Sequence, residues 1–260
     1  MLTAEKVDPL KLVEIKFSSE NDTKFASGAD LTGSFAFANC NVNAPKLDLS
    51  NAKSCDSMFA CYNPSYPVHQ QAEKEHPVKE QENAKIDDPY AFKLNLPKTL
   101  TFGEGSTTRQ MFMLYFPHEL DISGYDVSKV TDMTRMFAMC RADRIDTSTW
   151  DTSACENMEG MFLAASAKVI DMSSWDYHNV KNMRFMFMAY SNEDVSTAIY
   201  FPEDNTMRAA KGCDGMGMFA LCDSKALMLY GLNIEGFSNI DYMFAGCTNL
   251  ERINVGVETD

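Results

Sequence analysis

Basic residues are scarce in this 260-residue chain: 23 Lys and Arg stand against 37 Asp and Glu, a formal charge of −14. Nucleic-acid binding rests on clustered cations that release counterions, so this balance excludes DNA and RNA as expected partners and disfavours an anionic membrane surface. No apolar run approaches the roughly 18 to 20 residues of a spanning helix, so membrane insertion is not expected. The opening Met1-Leu2-Thr3-Ala4-Glu5-Lys6 lacks the basic start and apolar stretch of a secretory signal. That leaves an internal protein and one stripped of its signal both open. The eight cysteines form no CxxC pair, and Cys55 and Cys61 stand too far apart for a zinc knuckle. Only four histidines occur, His69, His76, His118 and His178, and no HExxH, GxSxG or GxxxxGK[S/T] string accompanies them. No catalytic residue, metal site or cofactor is therefore expected.

What the chain has is repetition. The pair Met-Phe recurs at Met58-Phe59, Met111-Phe112, Met136-Phe137, Met161-Phe162, Met186-Phe187, Met218-Phe219 and Met243-Phe244, with Ala36-Phe37 read as a degenerate eighth copy. The middle copies are 25 residues apart, and the largest disturbance follows Phe59. Counting from the Phe, apolar residues stand at −7 (Val130, Cys155, Val180), −4 (Met133, Met158, Met183), −1, 0 and +3 (Cys140, Tyr190, Cys222, Cys247). Those offsets match one face of a short amphipathic helix. Upstream the period becomes two: Leu120, Ile145 and Ile170 share one register, while Asp121, Asp146 and Asp171 point the other way. Leu47-Asp48-Leu49-Ser50 and Leu227-Met228-Leu229-Tyr230 read as equivalent strands. A strand and a helix in 25 residues cannot bury their apolar faces alone, so the units must stack. The expected fold is α/β, an open leucine-rich-repeat-like solenoid with one short parallel strand and one short helix per repeat.

The unit from Leu120 to Cys140, LDISGYDVSKVTDMTRMFAMC, resembles the repeat of BspA-like leucine-rich-repeat surface proteins, whose consensus is roughly LDLSxWDTSxVTxMxxMFxxC, and Trp150-Asp151-Thr152-Ser153 matches its junction. The resemblance is tight over 118–190, loose over 30–62 and 212–255, and poor over 63–110 and 191–211. It implies a repeat scaffold used for binding on bacterial surfaces, where members are similar to adhesins, and it implies no chemistry. One domain over 1–260 is expected: an N-terminal cap (1–30), divergent repeats (31–62), a polar insertion (63–95), regular repeats (96–190), a second insertion (191–211), then the last repeats and C-terminal cap (212–260). Strands near Leu12 to Phe17 and Leu250 to Val255 would open and close the stack.

Each column has a packing reading beside a functional one. The Met-Phe column, comprising Met136, Phe137, Met161, Phe162, Met186, Phe187, Met218, Phe219, Met243 and Phe244, reads as core rather than a soft-metal stripe, because the spacing is that of packing. Cys222 and Cys247 occupy the same position in neighbouring repeats, which suits either a disulfide or two buried thiols, with buried thiols favoured for a solenoid interior. Asp126, Asp151 and Asp176 have turn and N-cap chemistry. For Asp121, Asp146 and Asp171 a solvated face, a calcium ladder and a recognition surface stay open, although the glycine-aspartate pattern of calcium-binding β-rolls is missing. Tyr125, Trp150 and Trp175 suit either a core cap or a binding platform.

The functional expectation is a non-catalytic binding or adhesion module, extracellular or on a bacterial cell surface, recognising a protein, cell surface or glycan. Its expected contact residues are Asp121, Ser123, Asp146, Ser148, Asp171 and Ser173, with Tyr125, Trp150 and Trp175 as anchors. A subunit of a larger particle, such as a phage virion or tail, and an intracellular interaction scaffold are the alternatives.

Overall fold

The computed structural model describes residues 14–36, 41–60, 94–115, 119–142, 144–167, 169–191, 197–202 and 212–255. Within them the chain winds as a parallel β-solenoid. Each of the first four coils carries three short strands. They are β1 (Glu14–Lys16), β2 (Thr23–Lys24) and β3 (Ala29–Asp30), then β4 (Asn41–Asn43), β5 (Leu47–Asp48) and β6 (Ala52–Ser54). The third coil holds β7 (Leu94–Asn95), β8 (Leu100–Thr101) and β9 (Ser106–Thr107), and the fourth β10 (Glu119–Asp121), β11 (Tyr125–Asp126) and β12 (Val130–Asp132). Later coils contribute β13 (Arg144–Asp146), β14 (Val169–Asp171), β15 (Thr197–Tyr200), β16 (Cys213–Asp214), β17 (Ala226–Tyr230), β18 (Phe237–Asn239) and β19 (Arg252–Asn254). Like strands pair in parallel, coil on coil. The widest sheet runs β10-β13-β14-β15-β17-β19, with Leu120, Ile145, Ile170, Ile199 and Leu229 in register.

The expected helix is absent among the described residues, so the repeat unit is all-β. The segment around each Met-Phe pair forms linked turns instead. In the coil of Phe137, the N–H groups of Met136, Ala138 and Cys140 donate three residues back, to Met133, Arg135 and Phe137 (3.0–3.1 Å). The alternate N–H groups of Met133, Arg135, Phe137 and Met139 donate to the next coil, to Asn157, Glu159, Met161 and Leu163 (2.7–2.9 Å). A helix would keep every such bond within itself. Arg135 (φ 55°) and Met139 (φ 56°) are left-handed, and the same conformation recurs two residues before and after Phe112, Phe162, Phe187, Phe219 and Phe244. A left-handed residue every fourth position forbids a right-handed helix. It also returns every third or fourth side chain to the interior, which is the spacing that imitates a helix.

Arg135, Phe185 and Leu221 each face a glycine in the next coil. The Phe185 ring lies 2.7 Å from where a Cβ on Gly217 would stand, and Arg135 Cγ 3.2 Å from one on Gly160. These glycines make room for a neighbour as well as supplying a positive φ.

Two sequence registers are corrected. Phe35 enters the ring column, two residues before the marker read in sequence: it stacks on Phe59 with centroids 5.6 Å apart, and its N–H meets the Met58 carbonyl (2.9 Å). Phe37 and Cys40 lie outside the described residues. Leu47-Asp48 is level with Tyr125-Asp126, because Leu100 pairs with Tyr125 and Leu49 bridges Phe102; the level first assigned to it belongs to Asn41–Asn43. The insertion 63–95 lies outside the described residues up to 93. Its flanks are direct neighbours, with Phe59 stacked on Phe112 at 5.7 Å and Val42 paired with Leu94. Of 191–211, only 191 and 197–202 are described, and there β15 continues the sheet between β14 and β17.

One core runs the length of the stack. Phe35, Phe59, Phe112, Phe137, Phe162, Phe187, Phe219 and Phe244 form a single column of stacked rings, 5.2–5.9 Å apart. Met136, Met161, Met186 and Met218 lie beside it with no exposure, Met243 is buried, and Phe244 is half-buried at the end.

Candidate functional site

The outward face of the six-stranded sheet collects the residues singled out by sequence. Alternation along each strand sends Ile145 and Ile170 inward and leaves Arg144, Asp146, Val169 and Asp171 outside. Asp121, Asp146 and Asp171 do stack in register, and the same column continues through half-buried Tyr200 and Tyr230, 8% exposed, whose rings stack 5.1 Å apart. Beside it runs a column of Arg144, Val169, Ala198 and Met228. The face thus grades from charged at its first strands to apolar and aromatic at its later ones. Sequence reading missed Tyr200, because the irregular spacing of 191–211 hides its register, and gave Tyr230 a strand without a role.

The aspartates have a local task. The Oδ1 of Asp121, Asp146 and Asp171 each accepts the backbone N–H two residues on (3.1–3.4 Å) and the hydroxyl of Ser123, Ser148 or Ser173 (2.7–2.8 Å). Each pair is an Asx turn that closes a corner of the coil. Arg144 adds an ion pair to the second Asp146 oxygen at 3.2 Å. Partial burial pushes the Asp146 carboxyl up, but the Ser148 hydroxyl and N–H together with Arg144 outweigh it and hold the group below the usual carboxylate range.

The second aspartate column works alike. Asp126, Asp151 and Asp176 accept the N–H of Ser128, Ser153 and His178 (2.9–3.1 Å), and His178 Nδ1 lies 2.5 Å from Asp176. The turn chemistry is present, but no helix follows for these residues to cap. A third column, which sequence reading did not single out, comprises Asp30, Asp132, Asn157, Asn182, Asp214 and Asn239, each accepting the N–H two residues on (2.9–3.1 Å). Its signal was available: an Asp or Asn five residues before Phe137, Phe162, Phe187, Phe219 and Phe244. Among the described residues no group of three or more His, Cys, Asp or Glu side chains is placed to hold a metal ion.

Trp150 and Trp175 are not on the surface. Both are 1% exposed, their rings stack 6.0 Å apart, and each indole N–H donates to an interior carbonyl: Trp150 to Ile122 (3.0 Å) and Trp175 to Thr147 (3.1 Å). Tyr125 is buried in the same layer. The anchor role expected of these three is corrected on that ground, since a ligand on the sheet face reaches none of the rings. Of the histidines, His69, His76 and His118 lie outside the described residues, and His178 is exposed at its corner.

Residues 106–199, less than half of the chain, match the family described as "Mycoplasma protein of unknown function, DUF285". Over those coils the chain is similar to that family. No curated protein and no solved structure matches the chain.

Proposed function

We propose that the protein is a non-catalytic binding module that recognises a protein, a cell surface or a glycan through the outward face of the β10-β13-β14-β15-β17-β19 sheet. The observation that carries this reading is the graded stripe of Asp121, Asp146, Asp171, Tyr200 and Tyr230, held in register by main-chain pairing. A rigid stripe loses little entropy on binding, and a charged part beside aromatic and apolar parts suits a partner with both characters. The BspA-like resemblance supports the same role and an extracellular or bacterial-surface location.

The test is binding of the purified protein to an array of matrix proteins, cell-surface proteins and glycans. Two variants run beside it: one carrying Asp121→Asn, Asp146→Asn and Asp171→Asn, and one carrying Tyr200→Ala. A ligand lost in either variant, with unchanged melting, is the expected result. No ligand for the parent protein, or one retained by both variants, overturns the reading.

One observation favours the particle-subunit alternative. At the last coil the N–H groups of Ile240, Tyr242, Phe244 and Gly246 meet no acceptor among the described residues, although the equivalent groups of Met183, Phe185, Phe187 and Ala189 all do. Tyr242 is 71% exposed there and Ile240 43%. Unpaired edges of this kind invite another chain. Light scattering after size exclusion tests it: mass rising with concentration supports assembly, and a monomer throughout opposes it.

A further inference from the structure

Six cysteines fall among the described residues, all as thiols, and their placement is unequal. Cys140 stacks between Tyr115 and Ala165, and Cys155 between Val130 and Val180, so neither has a sulfur in the coil above or below. Cys222 and Cys247 alone share a column in adjacent coils, each three residues after a ring of the stacked pair Phe219 and Phe244. The flanking backbone is locked in register, with Phe219 N–H on the Met243 carbonyl (2.9 Å) and Leu221 N–H on the Ala245 carbonyl (2.7 Å). Parallel neighbours at that level are about 4.8 Å apart, inside the Cα separation a disulfide accepts.

The thiols also converge. Cys247 Sγ donates to the Phe219 carbonyl at 3.1 Å, and the Cys222 N–H reaches that same oxygen at 3.4 Å. The Cys247 sulfur therefore leans back onto the turn that carries Cys222, and each thiol feels the other. Cys247 is half-buried, in an end coil of the stack where Ile240 and Tyr242 are 43% and 71% exposed. Cys222 is interior, with its own Sγ donating to the Phe187 carbonyl (3.1 Å).

We propose that Cys222 and Cys247 are a redox latch: under oxidising conditions they form a disulfide that fastens the last complete coil to the one before it. The oxidant is a small-molecule or protein disulfide. A thiolate of the pair attacks it to give a mixed disulfide and release one thiol, and the second cysteine sulfur displaces the other. Two thiols become one disulfide, and their two protons and two electrons pass to the oxidant, which leaves as its reduced dithiol or thiol pair. Cys247, the less covered of the two, is the entry point. Cys222 then turns about its χ1 from the Phe187 carbonyl toward its neighbour. The latch lies at the end of the solenoid, apart from the sheet face of the binding reading, so each can fail without the other.

The test uses the whole folded chain in a glutathione buffer of rising oxidised fraction, followed by alkylation, trypsin and tandem mass spectrometry. Cleavage after Lys211, Lys225 and Arg252 yields peptides 212–225 and 226–252. The expected product joins them through Cys222, with fragmentation excluding Cys213, and is absent from Cys247→Ser. Amide exchange over 237–250 is expected to slow at least about tenfold on oxidation of the parent chain and to stay unchanged in Cys247→Ser. If Cys247→Ser does not fold, Cys222→Ala serves in its place. A native chain that yields only mixed disulfides with glutathione, or a 222–247 link formed only in urea, overturns the proposal.

Discussion

Replacing Ala164 and Ala189 by glycine separates a β-solenoid from a stack of helices by the sign of the stability change. Both sit two residues after a marker Phe, with φ of 51° and 54°. A left-handed backbone costs a residue with a Cβ about 1–2 kcal/mol, and glycine removes that strain. Against this stands the greater freedom of glycine in the unfolded chain, about 0.4–1 kcal/mol. The net expectation is a gain of roughly 0.5–1 kcal/mol per site from those two terms. In a helix each change would instead lose about 0.8–1.0 kcal/mol, so the double variant separates the two architectures by about 3 kcal/mol in sum. Ala165, fully buried and absent from the left-handed set, is the control: Ala165→Gly loses about 0.5–1 kcal/mol. Urea unfolding followed by far-UV circular dichroism and by tryptophan fluorescence reads the change, and coincidence of the two signals licenses a two-state fit in a repeat array. The two alanines occupy adjacent coils, so single variants are measured beside the double. A loss at Ala164→Gly matching that at Ala165→Gly would refute the reasoning.

Phe162→Ala removes a fully buried ring that stacks on Phe137 and Phe187 at 5.5 and 5.3 Å, and should cost about 3–5 kcal/mol in the same urea assay; a loss below about 1 refutes the core. Tyr177 buries its hydroxyl without a partner, so Tyr177→Phe should raise stability by about 1 kcal/mol, and a loss would show that the oxygen is satisfied. The Ser50 hydroxyl holds the Asp48 carboxyl low, and the N–H and ring of His178 hold Asp176 low against its partial burial, as Ser148 and Arg144 do for Asp146. Lowered native values mean stability that is present above the unfolded carboxyl value near 4 and is lost as pH falls through the native ones, so melting should drop below about pH 4 and stay flat from 5 to 7. Burial pushes the thiols of Cys55, Cys140, Cys155, Cys213 and Cys222 up to about 12, so in the folded reduced chain at pH 8 Cys247 should alkylate first among these six by site-resolved mass spectrometry.

The stacking of coils was legible because the Met-Phe pair repeats at a period no single unit can satisfy alone, and the register of Leu120, Ile145 and Ile170 followed from alternation. The helix was not a faulty count of apolar positions but an ambiguity in them. Linked turns with a left-handed residue every fourth position also return Met133, Met136, Phe137 and Cys140 to one interior. The deciding signal was the glycine at 160, 217 and 246, which alternates with Arg135, Phe185 and Leu221 at the same levels and has no place in a helix. Trp150 and Trp175 were ambiguous in sequence because an aromatic at the same corner of three successive coils serves packing and binding equally well; only the interior carbonyls that accept their N–H groups decide between the two.

A position that every coil repeats is fixed by the coil, so recognition must be sought in what departs from the period or in what a repeated residue does beyond its turn. Asp146 offers a clean separation. Its Oδ1 closes a corner by accepting the Ser148 N–H and hydroxyl, and an amide oxygen can take the N–H part of that task, since Asn157, Asn182 and Asn239 each accept the N–H two residues on. Asp146→Asn should therefore leave melting within about 0.5 kcal/mol of the parent, whereas Asp146→Ala forfeits the turn bonds and about 0.5–1.5 kcal/mol. Extending the amide change to Asp121 and Asp171 moves the net charge from −14 to −11 while keeping the corners. A ligand lost in that triple variant at unchanged melting is bound by the charge of the column. A ligand kept by it and lost in Tyr200→Ala is bound by the aromatic end of the stripe, the part of the face where the period breaks. Equal instability of Asp146→Asn and Asp146→Ala would mean that the carboxylate charge, and not the turn geometry, holds the corner, and would remove the basis for separating fold from recognition at this column.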